Sequence, residues 1–184
     1  MPNLINKTVA TQLKKARASK GWSLEVTSQH CGVSKAMLGQ IERGESSPTI
    51  AKLWKIATGF ALPLSDFLGN GHEQDLRVQS LAEAEAIRIE TIFEYDPATG
   101  MEMFDLQLAV GHEQHSEPHQ KGVIEHIVVT SGCMQYLLGD EWNTLDIGDK
   151  AKFAADQPHG YRNVGDVPLR FFNIIYYPQP LINS

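Results

Sequence analysis

Five of the seven histidines fall at positions 112, 115, 119, 126 and 159, and the first four of these share a fifteen-residue window. Acids stand among them at Glu117 and Glu125. Imidazole nitrogens and carboxylate oxygens together suit a divalent transition metal, so the cluster marks a candidate metal site. Period-two alternation in the run Val123–Val129 puts Glu125 on one face with Ile127 and Val129, and His126 on the other with Val128. Glu125 is therefore an inward donor, and His126 is left out of the ligand set. Glu117, His119 and His115 share one parity, and His115 lies shortly before Pro118 in what reads as a loop. His112 reads as a surface loop residue. The two cysteines, Cys31 and Cys133, form no CxxC pair, which excludes a thiolate zinc cluster and a disulfide framework.

A second stretch suggests a different chemistry. In WSLEVTSQHCGVSKAMLGQIERG, residues 22–44, two short helical segments meet at Cys31-Gly32-Val33-Ser34. Glycine permits the positive φ of a tight turn, and Val33 plugs the angle between the helices. Leu24, Met37 and Ile41 face a small core. This is a helix-turn-helix pattern, whose second helix enters the DNA major groove. Glu42 and Arg43 read as an internal pair or a capping arrangement rather than as base readers, and Trp22 and Trp54 as core.

The elements around these stretches differ in texture and charge. Residues 1–68 carry nine Lys/Arg against four acids, a net +5, whereas residues 69–184 carry seven against eighteen, a net −11. One half suits a polyanion and the other repels it, so the 184 residues read as two domains. The first half reads as five short helices. Gly21 stops the first, Ser23 and Ser34 cap the second and third, Pro48 and Thr49 open IAKLWKIATGF, and LSDFL is a last short piece. Residues 69–85 are polar and read as a linker. Beyond them, AIRIETIFEY, MEMFDLQLAV, GVIEHIVVTSG, CMQYLLG, DKAKFAA and LRFFNIIYY are short β-rich runs separated by turn residues, the pattern of an all-β sandwich or barrel over residues 86–184. No run approaches the ~18–20 apolar residues of a membrane helix, and the N-terminus has no apolar signal region. A cytoplasmic, non-membrane protein is expected.

Residues 8–68 resemble the XRE (Cro/repressor-like) helix-turn-helix family, through Gly32-Val33-Ser34, Glu42-Arg43-Gly44 and Ser47-Pro48-Thr49. That resemblance puts Ser34, Lys35, Ala36, Gly39 and Gln40 on the groove-facing side of the second helix. Gln40 suits adenine, Lys35 guanine or phosphate, and Ala36 a thymine methyl. Ser46, Ser47 and Thr49 would approach phosphates. Palindromic half-sites and a homodimer are expected with it.

Residues 100–178 resemble the cupin family. HSEPHQKGVIEHIVVTSG matches its first motif, with His119, Glu125 and Gly132 in place, and GDKAKFAADQPHGYRN matches its second, with Gly148, Pro158-His159 and Asn163. The resemblance implies a double-stranded β-helix (jelly-roll) barrel, making the chain α+β and multidomain. It also implies His119, Glu125 and His159 as ligands of a divalent metal. Zinc stands first, with iron, nickel and manganese as alternatives. The sequence departs from the family two residues before His119, where Glu117 replaces a histidine. Glu117 is favoured as fourth ligand, with His115 as the alternative. Tyr136, Tyr161 and Arg162 are candidates to line an effector pocket.

Together the two resemblances imply a non-enzymatic transcription regulator that binds operator DNA. Its barrel would sense a small molecule, with an amino acid or sulfur metabolite as one class. The alternative is a cupin-type non-haem iron oxygenase or epoxidase that retains a helix-turn-helix.

Overall fold

The computed structural model describes residues 4–68 and 86–178. The chain divides into two compact units, Met1–Leu76 and Arg77–Ser184. The segment 69–85, read above as a linker, lies outside the described residues.

Among the described residues, the first unit holds five helices: α1 (Leu4–Ser19), α2 (Leu24–Cys31), α3 (Lys35–Glu42), α4 (Ile50–Phe60) and α5 (Ser65–Leu68). Local chemistry sets their ends. The side chains of Ser23, Ser34 and Thr49 each accept a hydrogen bond from the backbone N–H three residues on, which satisfies an otherwise orphaned donor. Gly32 closes α2 in the left-handed region at φ 62°. Val9, Leu13, Leu38, Ile41, Leu53, Ile56, Phe60 and Phe67 are buried together, and Val33 plugs the turn at 5% exposure.

Two expectations need correction. Leu24 and Met37 are only half-buried, because the apolar faces of α1 and α4 supply most of the core. Glu42 and Arg43 do not pair with each other, although Arg43 does stand at the C-cap of α3, the capping arrangement expected. Glu42 takes Arg17 of α1 in a two-pronged ion pair, and Arg43 takes Glu45. Trp54 is buried, whereas Trp22 is half-buried and stacks between His30 and Phe60.

Gly59 of α4 is the close-approach point for α2. A Cβ there would lie 2.6 Å from Cys31 Sγ, 2.8 Å from its Cα and 2.9 Å from the His30 carbonyl. Two of those atoms are backbone and cannot swing away. Gly59→Ala is expected to destabilise the helical unit by about 1–3 kcal/mol through overpacking, despite alanine's better helix propensity. A lower midpoint in chemical denaturation followed by helical circular dichroism checks this.

Among the described residues, the second unit holds nine strands: β1 (Ile87–Asp96), β2 (Met101–Leu108), β3 (Glu113–Ser116), β4 (Ile124–Ser131), β5 (Met134–Leu138), β6 (Glu141–Leu145), β7 (Lys150–Ala154), β8 (His159–Asn163) and β9 (Leu169–Tyr176). They form an antiparallel sandwich of a five-stranded sheet, β1-β2-β9-β4-β7, and a four-stranded sheet, β3-β8-β5-β6. Ile89, Phe104, Leu106, Phe171, Ile127 and Val129 fill the inner face of the first sheet. Tyr136 and Tyr161 reach them from the second, stacking on Phe153 and tilting against Phe171. The six β-rich runs of the sequence appear as β1, β2, β4, β5, β7 and β9. The other three strands belong to the four-stranded sheet, and β3 carries His115 on a strand rather than in a loop. Among the described residues, no helix is long and apolar enough to cross a membrane.

Candidate metal centre and nucleic-acid interface

Alternation along β4 buries Glu125, Ile127 and Val129 and leaves His126 and Val128 half-buried on the opposite face. Glu125 thus enters the sandwich at 1% exposure. His159, the first residue of β8, enters from the facing sheet and is also 1% exposed. His119 comes from the loop between β3 and β4, anchored by its backbone N–H donating to the Ala155 carbonyl at 2.8 Å. One ligand-type atom from each of the three residues lies within 4.8 Å of the others. His119 Nε2 is 3.0 Å and His159 Nε2 3.3 Å from Glu125 Oε1.

The surrounding hydrogen bonds decide which atoms face inward. His159 Nδ1 meets the Gln157 carbonyl at 2.9 Å, where only a ring N–H fits, leaving Nε2 as the lone-pair nitrogen of a neutral ring. That Nε2 is buried without a hydrogen-bond partner, for its contact with Oε1 is poorly aligned. On the other carboxylate oxygen, Oε2, the Tyr161 hydroxyl donates in a short contact and Asn173 Nδ2 donates at 2.8 Å. The Oε2 atom is thereby occupied, and Oε1 is turned toward the two imidazoles. His119 Nε2, His159 Nε2 and Glu125 Oε1 converge in a buried space, a donor set that suits a divalent cation. An outer layer of Gln157, Tyr161 and Asn173 that orients the donors is what metal sites use. The residues fit a divalent metal.

Without one, protons must fill the role. Burial opposes ionisation of Glu125, but the His119 hydrogen bond and the close approach of both imidazoles outweigh it and hold the carboxyl well below its usual range. Burial pushes the His159 imidazole down, and the nearness and charge of Glu125 more than reverse this, so its pKa is raised. Burial first, then the Glu125 charge, pushes the Tyr161 hydroxyl well above the usual phenol range, keeping it a donor. Tyr161→Phe removes one of the two donors on Oε2 while leaving the ring in place. Metal affinity, read by competition with a chelator, is expected to fall about 10–100-fold with the fold intact.

Glu117 and His115 lie outside the three-residue group. Both are exposed, and His115 contacts Glu113 on the outer side of β3. Tyr136 faces inward beside Tyr161, its register partner, and stacks on Phe153, whose ring centre is 5.9 Å from that of His159. Arg162 is one residue out of phase with His159 and Tyr161. It turns to the outer face, 4.0 Å over the Trp142 ring, with its guanidinium donating to Gln135 Oε1. Sequence reasoning passed over Asn173 and Phe153. The available signal was Asn173 itself, a polar residue at the parity of Phe171 and Ile175 on an otherwise apolar strand face.

In the helical unit, α3 presents Lys35, Ala36 and Gln40 as exposed residues. Lys35 Nζ is 3.2 Å from Glu25 in an exposed pair that a stronger anion can replace. Gly39 is buried instead, where a Cβ would meet Arg43 Nη1 at 3.1 Å. Ser34 and Thr49 are engaged as caps, Ser46 contacts Met37 Sδ, and Ser47 donates to Asn6. A cleft of about 310 Å³ separates the starts of α3 and α4, and Ser34, Thr49, Lys52 and Lys55 line it. The two lysines were not singled out by the sequence. Their spacing of three in α4 was the available cue.

Comparison with known proteins agrees with both halves. Residues 13–67 match the Helix-turn-helix family and residues 104–175 the Cupin domain family. The HTH-type transcriptional regulator SutR of Escherichia coli (strain K12) is 46% identical over 171 residues, spanning 93% of this chain and 96% of that protein. The crystal structure of an HTH_3 family transcriptional regulator from Vibrio cholerae superposes with a TM-score of 0.87 at 46% identity, over 96% of this chain and 98% of that one. The Cupin_2 domain of an XRE family transcriptional regulator from Enterobacter cloacae superposes with a TM-score of 0.50 at 38% identity, over 51% and 99%.

Proposed function

This chain belongs to the family of helix-turn-helix transcriptional regulators that carry a C-terminal cupin domain, and from that premise we propose that it is a metal-dependent, effector-responsive regulator acting on operator DNA in the cytoplasm. Helix α3 enters the major groove, with Gln40 on adenine and Lys35 on guanine or phosphate. Ser46 and Ser47, with Lys52 and Lys55 at the cleft, serve the phosphates. Two copies act together, because a single short helix makes too few contacts for tight operator binding. The oxygenase alternative is set aside, since the relatives that share 46% identity along nearly the whole chain are regulators.

The observation that carries this reading is the convergence of His119, Glu125 and His159 in one domain of a chain whose other domain exposes a polar second helix. His119, Glu125 and His159 hold the metal. Zinc is the first candidate, because three such ligands leave it an open position. The metal would supply a Lewis-acidic site for a donor atom of a small effector. Tyr136 and Phe153 offer an aromatic wall, and Asn173 Oδ1, buried without a hydrogen-bond partner among the described residues, offers an acceptor. Residues 69–85 join the two domains, and Glu117, with His115 as its alternative, is the candidate fourth metal donor. An effector regulates by binding one arrangement of the dimer better than another. A coupling of ~1–3 kcal/mol changes operator affinity about 5–150-fold.

Selection from random duplexes tests the reading end of the molecule. It should return a palindrome with half-sites about one helical turn apart. Gln40→Ala should then lose about 1–3 kcal/mol on the selected duplex and relax the preference at one base pair per half-site. Recovery of no common sequence, or an unchanged preference in Gln40→Ala, overturns the assignment of α3.

A further inference from the structure

The outer face of the five-stranded sheet is crossed by three register rows. Each can be followed from β1 to β7 through successive strand pairs. The first reads Glu90, Asp105, Phe172, Val128, Lys150. The second reads Phe93, Met103, Ile174, His126, Lys152. The third reads Asp96, Met101, Tyr176, Ile124, Ala154. The middle three strands are thus mainly apolar on this face, with Phe172, Ile174, Tyr176, Met103, Ile124 and Val128 half-buried rather than buried. Phe93 is 66% and Met101 39% exposed. Charge sits at the two edges and differs in sign. The β1 edge carries Glu90 and Asp96, and the β7 edge Lys150 and Lys152, all exposed. Arg88 lies beyond the first row, level with Gln107 and Arg170, where β7 has no register partner. The one acid in the middle, Asp105, is already satisfied by Arg170.

We propose that this face is where two copies of the chain pair, about a twofold axis running along the strands over β9. Such an axis lays β1 of each copy over β7 of the other and keeps the rows in step. Glu90 then meets the Lys150 end of the second copy, and the apolar strands β2, β9 and β4 meet their counterparts. A twofold axis across the strands would instead set the acidic β1 edge against itself, at the cost of like-charge repulsion. Face-to-face sheets pack at about 30°, so the match is closest at the centre of the rows. This surface rests on the dimeric reading given above and assigns it to specific residues.

Within one copy, four inter-strand spacings separate Glu90 from Lys150, about 19 Å. A carbodiimide that joins carboxylate to amine without a spacer can therefore link them only between copies. The test combines that cross-link with the concentration dependence of mass of the full chain in sedimentation. Wild type should dimerise and yield the Glu90–Lys150 linked peptide. Glu90→Lys alone and Lys150→Glu alone should each weaken the dimer roughly tenfold or more. The double variant Glu90→Lys/Lys150→Glu should return to within a few-fold of wild type. A dimer that persists unchanged in both single variants overturns this face but leaves the dimeric reading standing. A wild-type chain that stays monomeric at every concentration and on operator DNA overturns both. Folding of each variant is monitored by its metal stoichiometry, which the outer face should not affect.

Discussion

Glu125→Gln is expected to yield a folded chain that holds no metal at its centre. The amide matches the carboxylate in size, and its oxygen can still accept from Tyr161 and Asn173 where Oε2 did. Its NH2 then points at the nitrogens of His119 and His159, which lie 3.0 and 3.3 Å from Oε1. It donates to the same lone pairs that a metal would take. The substitution therefore replaces the cation with a neutral hydrogen-bond donor and removes one negative ligand. Replacing a group that merely orients a ligand typically costs 10–100-fold in affinity, so losing the only anionic ligand of the group should cost at least about 100-fold. Elemental analysis of the purified chain and competition with a chelator read this directly. One full equivalent of tightly held metal in Glu125→Gln would mean that the donors have been misassigned.

Arg17→Ala is expected to be a severely destabilising change in the helical unit. The guanidinium reaches Glu42 through two hydrogen bonds, at 2.7 and 3.1 Å, and also holds the Trp22 carbonyl at 3.0 Å. Glu42 keeps only 8% of its side chain exposed, whereas Arg17 keeps 27%. Truncating the arginine strands a buried carboxylate, and removing one partner of a buried pair costs about 3–5 kcal/mol. Solvent access on the arginine side brings the estimate to about 3 kcal/mol. For a unit of this size, with total stability of about 5 kcal/mol, that is most of the margin. Glu42→Gln should cost less, because the freed arginine can turn to water. Urea unfolding of the two variants measures both the size and the asymmetry. Equal losses, or an Arg17→Ala change within about 0.5 kcal/mol of wild type, would mean that the pair is not structurally important.

The helical half was legible almost residue by residue because its punctuation is chemical. Ser23, Ser34 and Thr49 cap the helices they precede, and Gly32 takes the left-handed turn. In the second half, all five strands of the first sheet and β5 of the facing sheet were legible, and the other three strands of the facing sheet were not. Strands β3, β6 and β8 read EQHS, EWNTL and HGYRN. Their inward positions include Gln114, Asn143, His159, Tyr161 and Asn163, so no apolar alternation survives for periodicity to detect. The strand that was hardest to see, β8, supplies His159 and Tyr161. The phase of Arg162 followed from that miss: without β8 as a strand, its outward turn could not be read. Asn173 escaped because its neighbours made the strand obvious and its own polarity easy to overlook.

The account as a whole stands on coupling between the barrel and the DNA-reading helices. The most direct measurement is operator affinity of the full chain, metal-loaded and chelator-stripped, on the selected duplex at fixed ionic strength. The account predicts that the two forms differ at least about fivefold, and that duplex binding shifts metal affinity by the same factor, as linkage requires. Identical affinities of the loaded and stripped forms, with Glu125→Gln indistinguishable from both, would contradict it.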